Sequence, residues 1–253
     1  MKTIEVLFTP ADFAALKDRE LGDTLCVVFD VFRATSTMVT ALANGAKAII
    51  PVGEIPEALT IKQELPHALL AGERDGVRIR AALTGGRDFD LGNSPREFTQ
   101  EKVADKIIVM TTTNGTRALR ACKHAEKVLA GSFLNLRATA DSILGQAPEN
   151  LLLICSGTHD EAAYEDALGA GALCDLLREH FGQARVSDAA KMARELYFIA
   201  SKNLLDAASQ SRNGRRLMAM PELRQDVSFC LQRDIFNFAA ALGAEGRIEK
   251  VRG

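Results

Sequence analysis

An excess of charge of either sign is the first thing missing. The 253 residues carry 31 Lys and Arg against 33 Asp and Glu, a net charge of −2. With no basic field to neutralise a phosphate backbone, nucleic acid is excluded as the expected partner. Long apolar runs are missing too. Stretches such as Leu25–Phe29 and Leu151–Cys155 fall far short of the roughly 18 residues that span a bilayer, so no membrane segment is expected. The opening MKTIEVLFTPADF has neither the apolar core nor the small-residue cleavage site of a signal peptide. Cysteines are few, odd in number and without a CxxC pair: Cys26, Cys122, Cys155, Cys174 and Cys230 sit mostly in apolar segments. That pattern predicts reduced thiols in a cytoplasmic protein rather than a disulfide framework. Of the four scattered histidines only His159 falls near an expected strand end, which argues against a histidine phosphatase or a histidine-rich metal site. Tryptophan and low-complexity linkers are absent.

What is present suits a soluble globular protein, with 47% hydrophobic and 25% charged residues and length for one α/β domain or two small ones. The stretch Val27–Val52 organises the chain: VVFDVFRATSTMVTALANGAKAIIPV reads as buried strand, polar turn, helix, Asn-Gly stop and second strand. Thr3–Phe8, Val27–Val31, Ala48–Val52, Ala68–Ala71, Ile107–Met110, Lys127–Ala130 and Leu151–Cys155 are expected strands. Helices are expected at Thr35–Ala43, Pro56–Leu65, Thr116–Lys123 and Leu136–Leu144. Two long helices, about Ala162–Phe181 and Ser187–Ala208, should follow, with a late strand at Val227–Leu231. The alternation predicts βαβ units: an α/β fold, layered α/β/α around a mostly parallel sheet. Residues 28–53 overlie 107–132 at a constant offset of 79, as strand, turn, helix and strand. This leaves open two topologically similar, intertwined halves, about 1–100 and 101–253, within one domain.

Five clusters of polar residues fall at expected strand ends, where open α/β sheets keep their ligands. Asp30, at the end of the second strand, could ligate Mg²⁺, attack phosphorus, or simply cap its turn. The Asp-x-Asp pair common in aspartyl-nucleophile hydrolases is broken by Phe32. Arg33 offers a forked cation for phosphate, sulfonate or carboxylate, with a surface salt bridge as the bland alternative. Ser36 and Thr37 lie in the first helical turn, where free N–H groups and the dipole suit an anion. Glu73 ends another strand. Ser94-Pro95-Arg96-Glu97 has capping-box spacing, which leaves Gly92 and Asn93 free for a ligand. Thr111–Thr116 (TTTNGT), carrying Thr113, Asn114 and Gly115, makes a phosphate cradle without the Gly-Lys-Ser/Thr ending of a nucleotide-binding loop. Glu161 and Glu165 share a helix face, with Asp166 beside them, and helix-dipole compensation explains all three equally well.

Taken in order, FDVFRATST, GER, LGNSP, TTTNGT, GSFLN, CSG with YEDALGAGAL, and a tail SRNGRRL…DVSFCLQRDIF resemble the 2-phosphosulfolactate phosphatase family over nearly the whole chain. The resemblance implies a Mg²⁺-dependent phosphatase that converts 2-phosphosulfolactate to sulfolactate and phosphate, a step of coenzyme M biosynthesis. It transfers site roles to Asp30, Arg33, Glu73, Asn93, Thr113, Asn114 and the Glu165–Asp166 pair. The metal is then expected on Asp30 and Glu73, with Glu165 and Asp166 as further ligands. Ser36, Thr37 and the Thr113–Gly115 turn are expected to hold phosphate. One departure is a longer basic connection, Gly76–Asp90, between Glu73 and Gly92. The partner is therefore a small phosphorylated sulfonate, or another phosphorylated hydroxy acid; a non-catalytic anion-binding protein is the rival class. A homo-oligomer is left open by apolar helices such as Ala162–Leu177.

Overall fold

Every side chain of Thr24–Phe29 is buried, so the segment reads as a continuous apolar run because both of its faces are covered. In the computed structural model, which describes residues 1–251, it lies inside an eleven-stranded sheet. In chain order the strands are β1 (Thr3–Leu7), β2 (Thr24–Phe29), β3 (Ala48–Val52), β4 (Leu69–Arg74), β5 (Val77–Arg78), β6 (Ile107–Thr111), β7 (Lys127–Gly131), β8 (Asn150–Cys155), β9 (Arg185–Val186), β10 (Ala239–Leu242) and β11 (Ile248–Val251). The helices are α1 (Pro10–Ala14), α2 (Ala34–Ala43), α3 (Ile55–Glu64), α4 (Ala81–Thr84), α5 (Gln100–Val103), α6 (Gly115–Ala121), α7 (Leu136–Gln146), α8 (Tyr164–Leu177), α9 (Asp188–Ala200), α10 (Leu204–Ser209), α11 (Arg212–Ala219) and α12 (Arg224–Cys230).

The spatial order is β5-β4-β6-β3-β11-β10-β7-β2-β8-β1-β9. Two parallel blocks, β4-β6-β3 and β7-β2-β8-β1-β9, flank the antiparallel hairpin β10–β11. Around that hairpin β3 mirrors β7, β6 mirrors β2 and β4 mirrors β8. Because β10 pairs antiparallel with β7 and β11 with β3, the two blocks run in opposite senses. A flat sheet would send the ends of β2 and β6 to opposite edges. Sheets twist by about 20–25° per strand, so five steps turn one block through more than a right angle relative to the other. Residues of the loops after β2, β4, β6 and β8 line one cleft.

Side chains alternate across the sheet. Val27 and Phe29 enter a core with Leu153, Leu168 and Leu173, while Cys26 and Val28 enter the opposite one with Met38, Leu42 and Leu119. Gly169 lets α8 lie close to β2, since a Cβ there would come within 2.8 Å of the Phe29 ring. No helix is long and apolar enough to cross a membrane among the described residues.

Four expectations need correction. Val227–Leu231 belongs to α12 and its end, not to a strand: Asp226, Val227, Cys230 and Leu231 are buried at helical spacing, which outweighs the apparent alternation of Val227, Phe229 and Leu231. The expected helix Ser187–Ala208 breaks after Ala200, and Asn203 restarts it as α10 by accepting the Asp206 N–H. The first long helix is shorter at both ends, Tyr164–Leu177. Ser94 makes no capping bond; its hydroxyl donates instead to Asp226 (2.7 Å), and Glu97 accepts the Gly92 N–H. The long connection after Glu73 folds on itself. Ile79 and Phe89 plug a small core with Leu70 and Val109, and Asp90 accepts the Leu70 N–H (2.8 Å).

Candidate active site

The turn from β2 into α2 is held by the main chain of Asp30. Its N–H donates to Thr35 Oγ1 (3.0 Å), and the Thr35 N–H and hydroxyl both donate to its carbonyl (3.1 and 2.9 Å). The carboxylate is divided in its duties. Oδ1 accepts the Ala34 N–H (2.9 Å) at the first turn of α2. Oδ2 points at the start of α6, where a Cβ on Gly115 would lie 2.4 Å from it. Gly115 therefore belongs to the site through its missing side chain.

Arg33 is almost wholly buried. It donates to Asp226 Oδ2 of α12 (2.9 Å) and to the Gly76 carbonyl (2.8 Å). Glu73 reaches the cleft because Gly72 adopts φ +149° beside β6; a Cβ there would sit 2.0 Å from the Thr111 carbonyl. Glu73 Oε1 accepts the N–H and hydroxyl of Thr113 (2.9 and 3.0 Å), and Oε2 accepts the Gly76 N–H (2.6 Å). Asn114 donates to the carbonyls of Gly157 (3.1 Å) and His159 (3.4 Å), joining the loops after β6 and β8.

Asp30, Arg33, Glu73, Asn93, Thr113 and Asn114 thus line one cleft. Ser36 and Thr37 stand behind that wall. Ser36 donates to the Val31 carbonyl (3.0 Å) and Thr37 to the Asn93 carbonyl (2.8 Å), so both hydroxyls brace the turns. Glu165 and Asp166 are buried in the first turn of α8. Asp166 accepts the N–H groups of Val31 (2.8 Å) and Gly157 (3.1 Å) and the Ser156 hydroxyl (3.1 Å), tying the β2 and β8 loops together. Glu165 accepts from Asn213. The far wall comes from α11 and its end, with Asn213, Arg216, Leu217 and Met220. Sequence reasoning did not single these out, nor Asp226. The segment SRNGRRL signals a capped helix, but nothing local says that it folds back over distant strand ends.

Burial pushes the Asp30 carboxyl up to about 6, with the negative charges of Glu73 and Glu165 adding to it and the Ala34 N–H and Ser156 hydroxyl opposing. Burial also raises Glu165, against the Asn213 bond, and pushes Asp166 well above the usual carboxylate range, helped by Glu165 and Asp30. Among the described residues none of Asp30, Glu73, Glu165 and Asp166 forms a salt bridge. Nor do any three His, Cys, Asp or Glu side chains there form a ready metal cage. The buried amide oxygens of Asn93 and Asn114 have no hydrogen-bond partner among the described residues. Unpaired buried acceptors are costly, and a hard cation is one group that would satisfy them. Oxygen donors and surplus negative charge fit Mg²⁺, which keeps several waters and takes one or two carboxylates.

The family model described as 2-phosphosulpholactate phosphatase matches residues 12–244. The chain is 35% identical to a probable 2-phosphosulfolactate phosphatase of Caldicellulosiruptor saccharolyticus, over 90% of this chain and 93% of that one. It is 37% identical to one of Caldanaerobacter subterraneus subsp. tengcongensis, over 93% and 95%. For one of Thermotoga maritima the figures are 39%, 85% and 88%. A match that runs from α1 past β10 takes in every loop of the cleft, and the chain belongs to the 2-phosphosulpholactate phosphatase family.

Proposed function

We infer that the protein is a Mg²⁺-dependent phosphoric monoester hydrolase acting on 2-phosphosulfolactate, with sulfolactate and phosphate as products. The observation that carries this reading is Asp30, a buried carboxylate on the cleft wall with one oxygen pinned by a helix N–H and the other facing the start of α6. Family membership supplies the substrate class. Asp30 Oδ2 and the amide oxygens of Asn93 and Asn114 are the atoms that would hold Mg²⁺, with Glu73 adding charge beside them. When bound, the ion would neutralise phosphoryl oxygens and polarise the ester.

The chain's own groups do the rest. Asp30 is ionised at neutral pH, and its raised proton affinity suits it to receive a proton or to attack phosphorus. In either role activity follows its deprotonation. The Glu73–Thr113 and Asn114–Gly157 bonds fix the loops around the ester before substrate arrives, which is the preorganisation that charge stabilisation needs. A cytoplasmic location and a place in coenzyme M synthesis belong to the same reading. The first is supported by five cysteines that are all free and buried, and the second rests on the resemblance alone.

The test is phosphate release from 2-phosphosulfolactate with Mg²⁺, with EDTA, and with Asp30→Asn. Release that both EDTA and the substitution abolish is expected. Turnover that survives Asp30→Asn would refute the central role of that residue. Turnover only of other phosphorylated hydroxy acids would transfer the chemistry to another substrate.

A further inference from the structure

Arg216 is a cation on the cleft wall that the reaction at Asp30 does not use. It projects from α11, lines the same cleft as Asp30 and Glu73, and is only half-buried. One Nη2 donor goes to the Asp75 carbonyl, and the guanidinium lies within van der Waals range of Gly76, 3.7–3.8 Å from where a Cβ would stand. Arg33 donates to the Gly76 carbonyl from its own position in the cleft wall. Two guanidinium groups thus hold adjacent carbonyls of one turn, but their charges are balanced differently. Arg33 is neutralised by the fully buried Asp226 (2.9 Å). Arg216 has no carboxylate within ion-pair distance among the described residues. Leu217 and Met220 line the same wall, and Arg216 itself is half-buried.

A half-buried guanidinium that is oriented by one carbonyl is a prepared anion site. Phosphoryl transfer needs its cationic help at the Asp30 end. Rigid placement on a separate helix suits Arg216 to a second anionic group.

We propose that Arg216 is the specificity-determining residue that binds the anionic group of the substrate that is not transferred, a sulfonate or a carboxylate. This rests on the phosphatase reading above and deepens it. The turn at Asp75–Gly76 then links the two subsites: Glu73 accepts its N–H, while Arg33 and Arg216 hold its carbonyls.

The experiment compares wild type, Arg216→Gln and Arg216→Lys on three phosphate esters. These are 2-phosphosulfolactate, 2-phospholactate (no sulfonate) and the phosphate ester of 2-hydroxyethanesulfonate (no carboxylate). The expected result for Arg216→Gln is a KM for 2-phosphosulfolactate raised about tenfold to a hundredfold, the worth of one charged hydrogen-bonding group, with kcat changed less. The ester lacking the group that Arg216 binds should show no such rise, which identifies that group. Arg216→Lys should recover part of the loss. Binding of sulfolactate, read by calorimetry on the same proteins, gives a measure independent of turnover and should weaken by the same factor. An unchanged KM and unchanged sulfolactate binding, or an equal loss on all three esters, would overturn the assignment. Wild type that binds sulfolactate through Arg216 yet turns over none of the esters would sink the phosphatase reading and leave this one standing.

Discussion

Asp30 concentrates the consequences of burial at a single residue. Its carboxyl is lifted from 3.8 to about 6, so folding favours the protonated form. The sign follows directly. Below about pH 4 the group is neutral in both states and costs nothing; between about 4 and 6 the folded state loses stability relative to the unfolded one, and above 6 the penalty is constant. Two units correspond to roughly 3 kcal/mol at most. Asp30→Asn keeps an acceptor for the Ala34 N–H and removes the charge facing Glu73 and Glu165. The variant should lose phosphatase activity by at least about a thousandfold, a loss of some 4 kcal/mol in barrier terms. It should melt at the same or a higher temperature at pH 7.5, and its advantage should shrink toward pH 4. At Mg²⁺ well below saturation a wild-type log(kcat/KM) profile should rise with unit slope to a break near 6, and saturating Mg²⁺ should move the break lower; a flat profile at both would dissociate catalysis from Asp30.

At the level of elements, α2 and α12 are pinned by the Arg33–Asp226 pair, with Ser94 and Arg96 completing the buried carboxylate's contacts. Removing one member leaves a buried charge unpaired. Asp226→Ala should therefore lower stability by about 3–5 kcal/mol in urea titrations, while Arg33→Met with Asp226→Leu should cost clearly less than that single change. The contact between α6 and the β2 turn is equally tight, because Gly115 has room for neither a Cβ against Asp30 Oδ2 (2.4 Å) nor one against Ala34 (2.7 Å). Gly115→Ala should lower kcat at least about tenfold with a smaller change in melting temperature, as a displaced Oδ2 predicts. Elements with strong local signals were legible without a structure. The β2 run, the Asn-Gly stop after α2 and the TTTNGT turn each declare themselves within ten residues. The α12 segment did not, since five residues satisfy a strand pattern and only the burial of Asp226 and Cys230 reveals the helix.

On the scale of the whole molecule, the charge cluster and the central hairpin matter most. If Asp30 and the Asn93 and Asn114 amide oxygens hold Mg²⁺ as proposed, the ion binds only the folded state and stabilises it by mass action. Millimolar Mg²⁺ should raise the melting temperature of wild type at pH 7.5, and Asp30→Asn should abolish most of that rise; an equal rise in both proteins would place the ion elsewhere. The hairpin β10–β11 closes the gap between β3 and β7. Truncation after Asn237 would leave two buried strands with open edges, so the shortened chain should aggregate, as size-exclusion chromatography would reveal.

The sequence by itself determined the βαβ rhythm, the strand ends at which chemistry could sit, and the family. Each of these depends on local periodicity and on motifs a few residues long. It also placed Asp30, Arg33, Glu73, Asn93, Thr113 and Asn114 at such ends, and these six share the cleft. Only the tertiary structure decided which polar groups face the cleft. Ser36, Thr37 and Asp166 have the residue types of a binding site, yet their hydrogen bonds are used to hold turns together. It alone brought Asp226 to Arg33 across 193 positions and laid Arg216 beside Gly76. The reason is physical: a hydroxyl or carboxylate binds whichever donor or acceptor the fold delivers first, and long-range delivery depends on the twist of the sheet and the hairpin at its centre.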